Sequence, residues 1–220
     1  MDLAERLNRL RSELPENVRL LAVSKFHPES VIMEAYEAGQ RIFGENRVQE
    51  LLLKYEHLPK DIEWHFIGHL QANKVKYIVP FIYTIQSIDS LKLAEKVNSE
   101  AGKCRRKIRT LIQIHIAQEE QKFGFSYGEA EDLLKKGAFS SMEYLDISGF
   151  MGMATFTDDQ TQIRDEFHRL HCFFQQIKSD CFAANDSFCE LSIGMSDDYP
   201  VAVEEGSTIV RIGSKLFGNR

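Results

Sequence analysis

The chain has 220 residues, 43% of them hydrophobic and 27% charged, with a formal net charge of −6. This is enough chain for one sizeable core, read as one domain over 1–220, and the balance excludes a disordered, collagenous or disulfide-scaffold protein. Mean hydropathy is −0.30, and no apolar stretch nears the roughly 18 residues of a membrane span. The acidic N-terminus, Met1-Asp2-Leu3-Ala4-Glu5, carries no secretory h-region. The negative charge gives nucleic-acid binding no global support. The four cysteines, Cys104, Cys172, Cys181 and Cys189, show no metal spacing and read as reduced thiols of a cytoplasmic protein.

The first element is a helix over 1–14, with Leu3, Leu7, Leu10 and Leu14 on one face. A short apolar strand follows at 19–24 (RLLAVS). The next helix spans 28–38, with Pro28 in its first turn and Gly39 as its stop. Further strands are expected at 41–44, 63–67, 83–88, 108–116, 146–150, 190–193 and 208–212, with 108–116 the longest. Helices are expected between them at 47–55, 71–79, up to 101, 127–135, 160–178 and 199–204. Strands buried on both faces and joined by helices predict a parallel sheet. Eight such units predict an α/β fold, a single closed (β/α)8 TIM barrel with an extra N-terminal helix. An open doubly wound sheet is the alternative. The first strand is followed by neither GxGxxG nor GxxxxGK[ST], which weighs against a dinucleotide or P-loop site.

The working face of such a barrel is built from the loops after its strands. Here those loops carry Lys25, Gly44-Glu45-Asn46, Gly68-His69, Met151-Gly152-Met153, Gly194-Met195-Ser196 and Gly213-Ser214. The last two each precede a helix. Glycine admits close backbone approach, serine adds a hydroxyl, and barrels often bind phosphate after strands seven and eight. Either loop alone reads as a turn; both together, at those positions, read as a phosphate site. Lys25 ends an apolar strand whose side chains face the barrel mouth, where a lysine is a nucleophilic amine able to form a Schiff base. A Schiff-base lysine beside a phosphate site points to pyridoxal phosphate, with phosphosugar chemistries still open at this stage.

Other candidates have plainer readings. His65 and His69 are four apart but straddle a strand and its turn, so helical zinc-pair spacing does not apply. Asp158-Asp159 and Asp197-Asp198 read as helix caps rather than metal ligands. His115, Glu119 and Glu120 read as polar groups at a strand end. The basic run Lys103, Arg105, Arg106 and Lys107 reads as a solvated loop, and Trp64, Phe66 and the other phenylalanines as barrel core. No metal site is expected.

Several stretches, taken together, resemble the pyridoxal phosphate homeostasis proteins, a family related to the barrel domain of alanine racemase. They are AVSK (22–25), FGENRVQE (43–50), WHFIGHLQANK (64–74), SIDS (87–90), EEQKFGF (119–125), GFMGMAT (149–155), LSIGMSDDY (191–199) and VRIGSKLFG (210–218). The resemblance implies a (β/α)8 barrel that binds pyridoxal 5'-phosphate on Lys25. It makes Ser196, Gly213 and Ser214 phosphate ligands, with backbone help from Gly194 and Met195. It places Arg211 near the pyridine nitrogen and Asn46 and Met153 along the ring. An arginine keeps its proton, so it would leave that nitrogen unprotonated and the cofactor a weak electron sink. Phe26, Arg47 and Gln86 depart from residues common in the family.

The implied role is vitamin B6 homeostasis: holding the cofactor and handing it to dependent apo-enzymes without robust catalysis. The fold-related alternative is an amino-acid racemase, which needs a base on each face of the substrate carbanion. In the racemases the resemblance gives the second base as a tyrosine from a separate C-terminal domain. The sequence ends at Arg220, just after the eighth strand, which leaves that domain no residues. An acidic barrel with polar helix faces is expected to be a monomer, without nucleic-acid or membrane partners.

Overall fold

A computed structural model of the chain describes residues 2–119 and 123–218. Helix α1 (Leu3–Glu13) opens with a reciprocal cap: Asp2 accepts from the Glu5 N–H at 2.7 Å and Glu5 from the Asp2 N–H at 2.9 Å. Its Leu3, Leu7 and Leu10 are buried. The alternation then runs β1 (Arg19–Val23), α2 (Glu29–Glu37), β2 (Ile42–Glu45), α3 (Val48–His57) and β3 (Glu63–Phe66). A 3-10 turn (Ala72–Lys74) leads into α4 (Val75–Ile78), β4 (Thr84–Ile88), α5 (Leu91–Lys103) and β5 (Ile108–Gln113). The chain continues through α6 (Tyr127–Lys135), β6 (Leu145–Met151), α7 (Gln160–Cys181) and β7 (Glu190–Met195). It closes with α8 (Tyr199–Glu204), β8 (Ile209–Ile212) and α9 (Ser214–Phe217). The strands close into a barrel in sequence order, each parallel to its neighbours, with β1 pairing β8.

Strand alternation sorts the side chains. On β1, Leu21 and Val23 pack with Ile209, Ile42 and Ile67 in a small cluster, while Leu20 and Ala22 join the large core beneath the helices. Lys25 continues the series of Leu21 and Val23. Gly44 makes room for this inner packing, since a Cβ there would lie 2.3 Å from the Leu21 Cδ2.

α7 runs three residues past the expected 178 and β7 two past 193, and two further elements differ in form. β5 stops at Gln113 rather than 116. The ladder with β6 ends there, and the chain turns to pair with the returning loop: the His115 N–H donates to the Phe125 carbonyl at 2.8 Å and the Phe125 N–H to that of Gln113 at 2.9 Å. Ile114 and Ile116 are still buried, which is why the apolar pattern overran. The longest strand is therefore β6, with seven residues. The helix expected over 71–79 divides into the 3-10 turn and α4.

The basic run is not simply solvated. Arg106 donates to the carbonyls of Val79 and, at 3.1 Å, Ile82, clamping the end of α4. All four cysteines are free thiols. Among the described residues no helix is long and apolar enough to cross a membrane.

Candidate functional site at the mouth of the barrel

The C-terminal ends of the strands surround a cavity of about 640 Å³. Lys25, Asn46, Met153, Met195, Ser196, Arg211, Gly213 and Ser214 all line it. Gly194 does not. It sits behind the wall at φ +91°, and a Cβ there would lie 2.6 Å from the Ala202 Cβ. Its work is to let the end of β7 turn tightly against α8.

The two serine-bearing loops meet. The Gly213 N–H donates to the Ser196 Oγ at 3.2 Å, so the loops after β7 and β8 form one rim. Asp198 accepts from the Met195 N–H at 2.5 Å and makes no side-chain cap to α8. It thus shapes the β7 loop rather than capping a helix as expected, and Asp197 lines the cavity. Asp159 does cap α7, accepting from Thr161 at 2.9 Å and Gln162 at 3.2 Å.

Arg211 is buried at the third position of β8. Its Nη1 donates to the Ser192 carbonyl and Oγ, both at 2.7 Å, and Nη2 donates to the Gly152 carbonyl at 2.8 Å. Among the described residues Nε has no acceptor. Burial brings the guanidinium down to about 10, with Asp198 opposing, so it stays charged at neutral pH. Because arginine only donates, the Ser192 hydroxyl must pass its own proton onward. It donates to Gln86 Oε1 at 2.7 Å, and Gln86 Nε2 donates to His65 Nδ1 at 2.8 Å. This chain of bonds fixes His65 as a neutral ring with its proton on Nε2. Burial, reinforced by Arg19 and Arg109, brings that ring down to about 3. His65 is thus a core residue behind the site, and Gln86 is its partner.

On the opposite wall, Gly68 admits the β3 loop against Asn46; a Cβ there would lie 2.4 Å from the Asn46 carbonyl oxygen. His69 lines the cavity with Nδ1 2.7 Å from Asp89 Oδ2, and its ring stacks on Phe123 at 3.8 Å. The serines of SIDS divide: Ser90 caps α5, while Ser87 is buried on β4. His115 turns away, its Nε2 2.9 Å from the Glu119 carbonyl oxygen. Glu120, with Gln121 and Lys122 of the EEQKFGF stretch, lies outside the described residues. His27, Gln113 and Phe156 also line the cavity, and no sequence pattern singled them out. His27 sits in an irregular turn, fixed by its ring contact with Phe217 at 4.6 Å. Among the described residues no three metal-ligating side chains converge.

The sequence profile of the alanine racemase N-terminal domain matches residues 2–220. The chain belongs to that family. A pyridoxal phosphate homeostasis protein of Schizosaccharomyces pombe is 38% identical over 222 residues, covering 97% of this chain and 91% of the relative. PipY of Synechococcus elongatus is 38% identical, with 99% of this chain and 100% of that chain covered. The TM-score is 0.93 to PipY without pyridoxal phosphate and 0.89 to PipY with it bound. An alanine racemase of Clostridium difficile shares the fold alone: TM-score 0.76 and 16% identity over 99% of this chain and 56% of the racemase.

Proposed function

We propose that this chain binds pyridoxal 5'-phosphate and serves its homeostasis in the cytoplasm, holding the cofactor rather than turning it over. The observation that carries this reading is convergence. Lys25, the linked Ser196 and Ser214 loops, and the buried Arg211 all border one cavity. Its volume lies within the roughly 300–1,000 Å³ of small-molecule sites. The donor set fits the group: two serine hydroxyls and backbone N–H groups for a phosphate, a charged Nε–H without an acceptor for a ring nitrogen, and an amine for an aldehyde. The relatives' names and the loaded form of PipY point the same way.

Bound here, the cofactor supplies an electrophilic aldehyde carbon, and Lys25 holds it as a Schiff base. Ser196, Gly213 and Ser214 hold the phosphate, with Met195 at the rim and Gly194 shaping the turn behind it. Asn46 and Met153 flank the ring. Arg211, committed to donating, keeps the ring nitrogen unprotonated and mutes carbanion chemistry. Exposed Phe123 and Phe156 offer apolar contacts for passing the cofactor to dependent apo-enzymes from a monomer.

The test is uptake followed by a chirality assay. Protein incubated with pyridoxal phosphate should turn yellow, while free L-amino acids keep their optical activity. Loss of chirality at about 1–1,000 per second would instead identify a racemase.

A further inference from the structure

The neighbours of Lys25 are pinned by a buried ion cluster that cofactor binding does not use. Lys54, on α3, is 4% exposed. Its ammonium donates to the Ser24 carbonyl at 2.8 Å, Glu45 Oε1 at 2.7 Å and Glu50 Oε1 at 2.6 Å, matching its three hydrogens. The Ser24 hydroxyl donates to the same Glu45 oxygen at 2.6 Å. The Phe26 N–H donates to the same Glu50 oxygen at 2.5 Å. Ser24 and Phe26 are the residues on either side of Lys25. Glu45 and Glu50 both belong to the FGENRVQE stretch, and neither lines the cavity.

The backbone at this point is strained. Phe26 has φ +66°, a left-handed conformation uncommon for a non-glycine residue and costly for a bulky one. The His27 N–H closes the turn on the Ser24 carbonyl at 3.0 Å, the Glu50 bond braces it from outside, and the Arg47 guanidinium lies 4.7 Å from the Phe26 ring centroid. A buried ion pair is a poor source of stability compared with apolar packing of the same shape. This one instead fixes a specific path for residues 24–26. Burial pushes the Glu45 carboxyl up against the opposing pull of Lys54.

We propose that Lys54, through Glu45 and Glu50, is a positioning residue that directs Lys25 into the cavity. This rests on the Schiff-base reading above. In that step the Lys25 nitrogen attacks the aldehyde carbon, a C=N bond replaces C=O, and the oxygen leaves as water with both amine protons. Correct presentation of the amine speeds this step, whereas the phosphate loops and the ring contacts of Arg211, Asn46 and Met153 decide non-covalent binding.

The experiment compares the wild type with Lys54→Met and with the triple variant Lys54→Met, Glu45→Gln, Glu50→Met, which leaves no buried charge unpaired and removes the acceptor of the Phe26 N–H. Three quantities are read: amide exchange over 24–27 in ligand-free protein, affinity for pyridoxine 5'-phosphate (which has no aldehyde), and the rate of imine absorbance with pyridoxal 5'-phosphate. The folded triple variant should exchange at least tenfold faster at Phe26 and form the imine at least tenfold more slowly. Its pyridoxine phosphate affinity should stay within twofold. Unchanged exchange at Phe26, unchanged imine rate, or equal losses in imine formation and pyridoxine phosphate affinity would each overturn the proposal. A wild type that binds pyridoxine phosphate but forms no imine would overturn the Schiff-base reading, while the exchange data would still judge whether Lys54 orders 24–26.

Discussion

At the N-terminal end of the strands, Glu190 accepts from Arg19 and pairs at 3.2 Å with Arg109, whose Nε donates to the Ser148 hydroxyl at 3.0 Å. At the C-terminal end, Lys25, Arg211, Ser196 and Ser214 border a cavity. Both ends are polar, but the lower groups pair with one another across the strands, while the upper ones also border open space. Polar groups matched within the fold hold the barrel together, and those facing a cavity are available to a ligand, as the division of labour in this fold leads one to expect. The layer between them, Arg211–Ser192–Gln86–His65, connects the two regimes.

Substitutions can break this comparison by affecting the wrong property. The largest effect is expected from Glu190→Ala, which strands two arginines at the lower end. It should cost about 3 kcal/mol in urea unfolding, the range for breaking a buried pair, with cofactor affinity unchanged. A variant that instead loses affinity at full stability would invert the comparison.

A smaller effect comes from pH. The folded His65 ring holds off its proton to about 3. Below about pH 6.5 the unfolded chain takes up a proton that the folded chain refuses. This contribution is present in full above pH 6.5 and declines as pH falls toward 3, by about 1.4 kcal/mol per unit. Going from pH 6.5 to 5 should therefore cost about 2 kcal/mol from this site. His65→Gln should flatten that limb of the stability profile; an identical profile would remove His65 from the account.

The smallest effect concerns the rim. Ser214→Ala should weaken cofactor binding about tenfold, roughly 1.4 kcal/mol, while unfolding midpoints stay put. Ser30→Ala, on α2, should change neither. Equal retention in the two variants would argue against the phosphate assignment.

Much of this layout is legible in the sequence because side chains along a strand alternate between the barrel interior and the helix layer, although both faces are buried. RLLAVSK already orders Leu21, Val23 and Lys25 on one face, and the GMS and GSK turns mark the rim. Other features depend on contacts between segments distant along the chain. Gly194 carries the turn-forming signature of a ligand-binding glycine, yet it faces α8. His65 and His69 look alike in WHFIGHLQANK, and only their partners, Gln86 and Asp89, separate a core ring from a cavity wall. Nothing in the sequence singles out Lys54. Its burial follows from the loop after β1 folding over α3, which no local pattern encodes.

The central claim is that the amine of Lys25 captures the cofactor. Protein loaded with pyridoxal phosphate, reduced with borohydride, digested and analysed by mass spectrometry tests it directly. The added cofactor mass is expected on the peptide containing Lys25. An unlabelled Lys25 peptide, or label confined to another lysine, would contradict it.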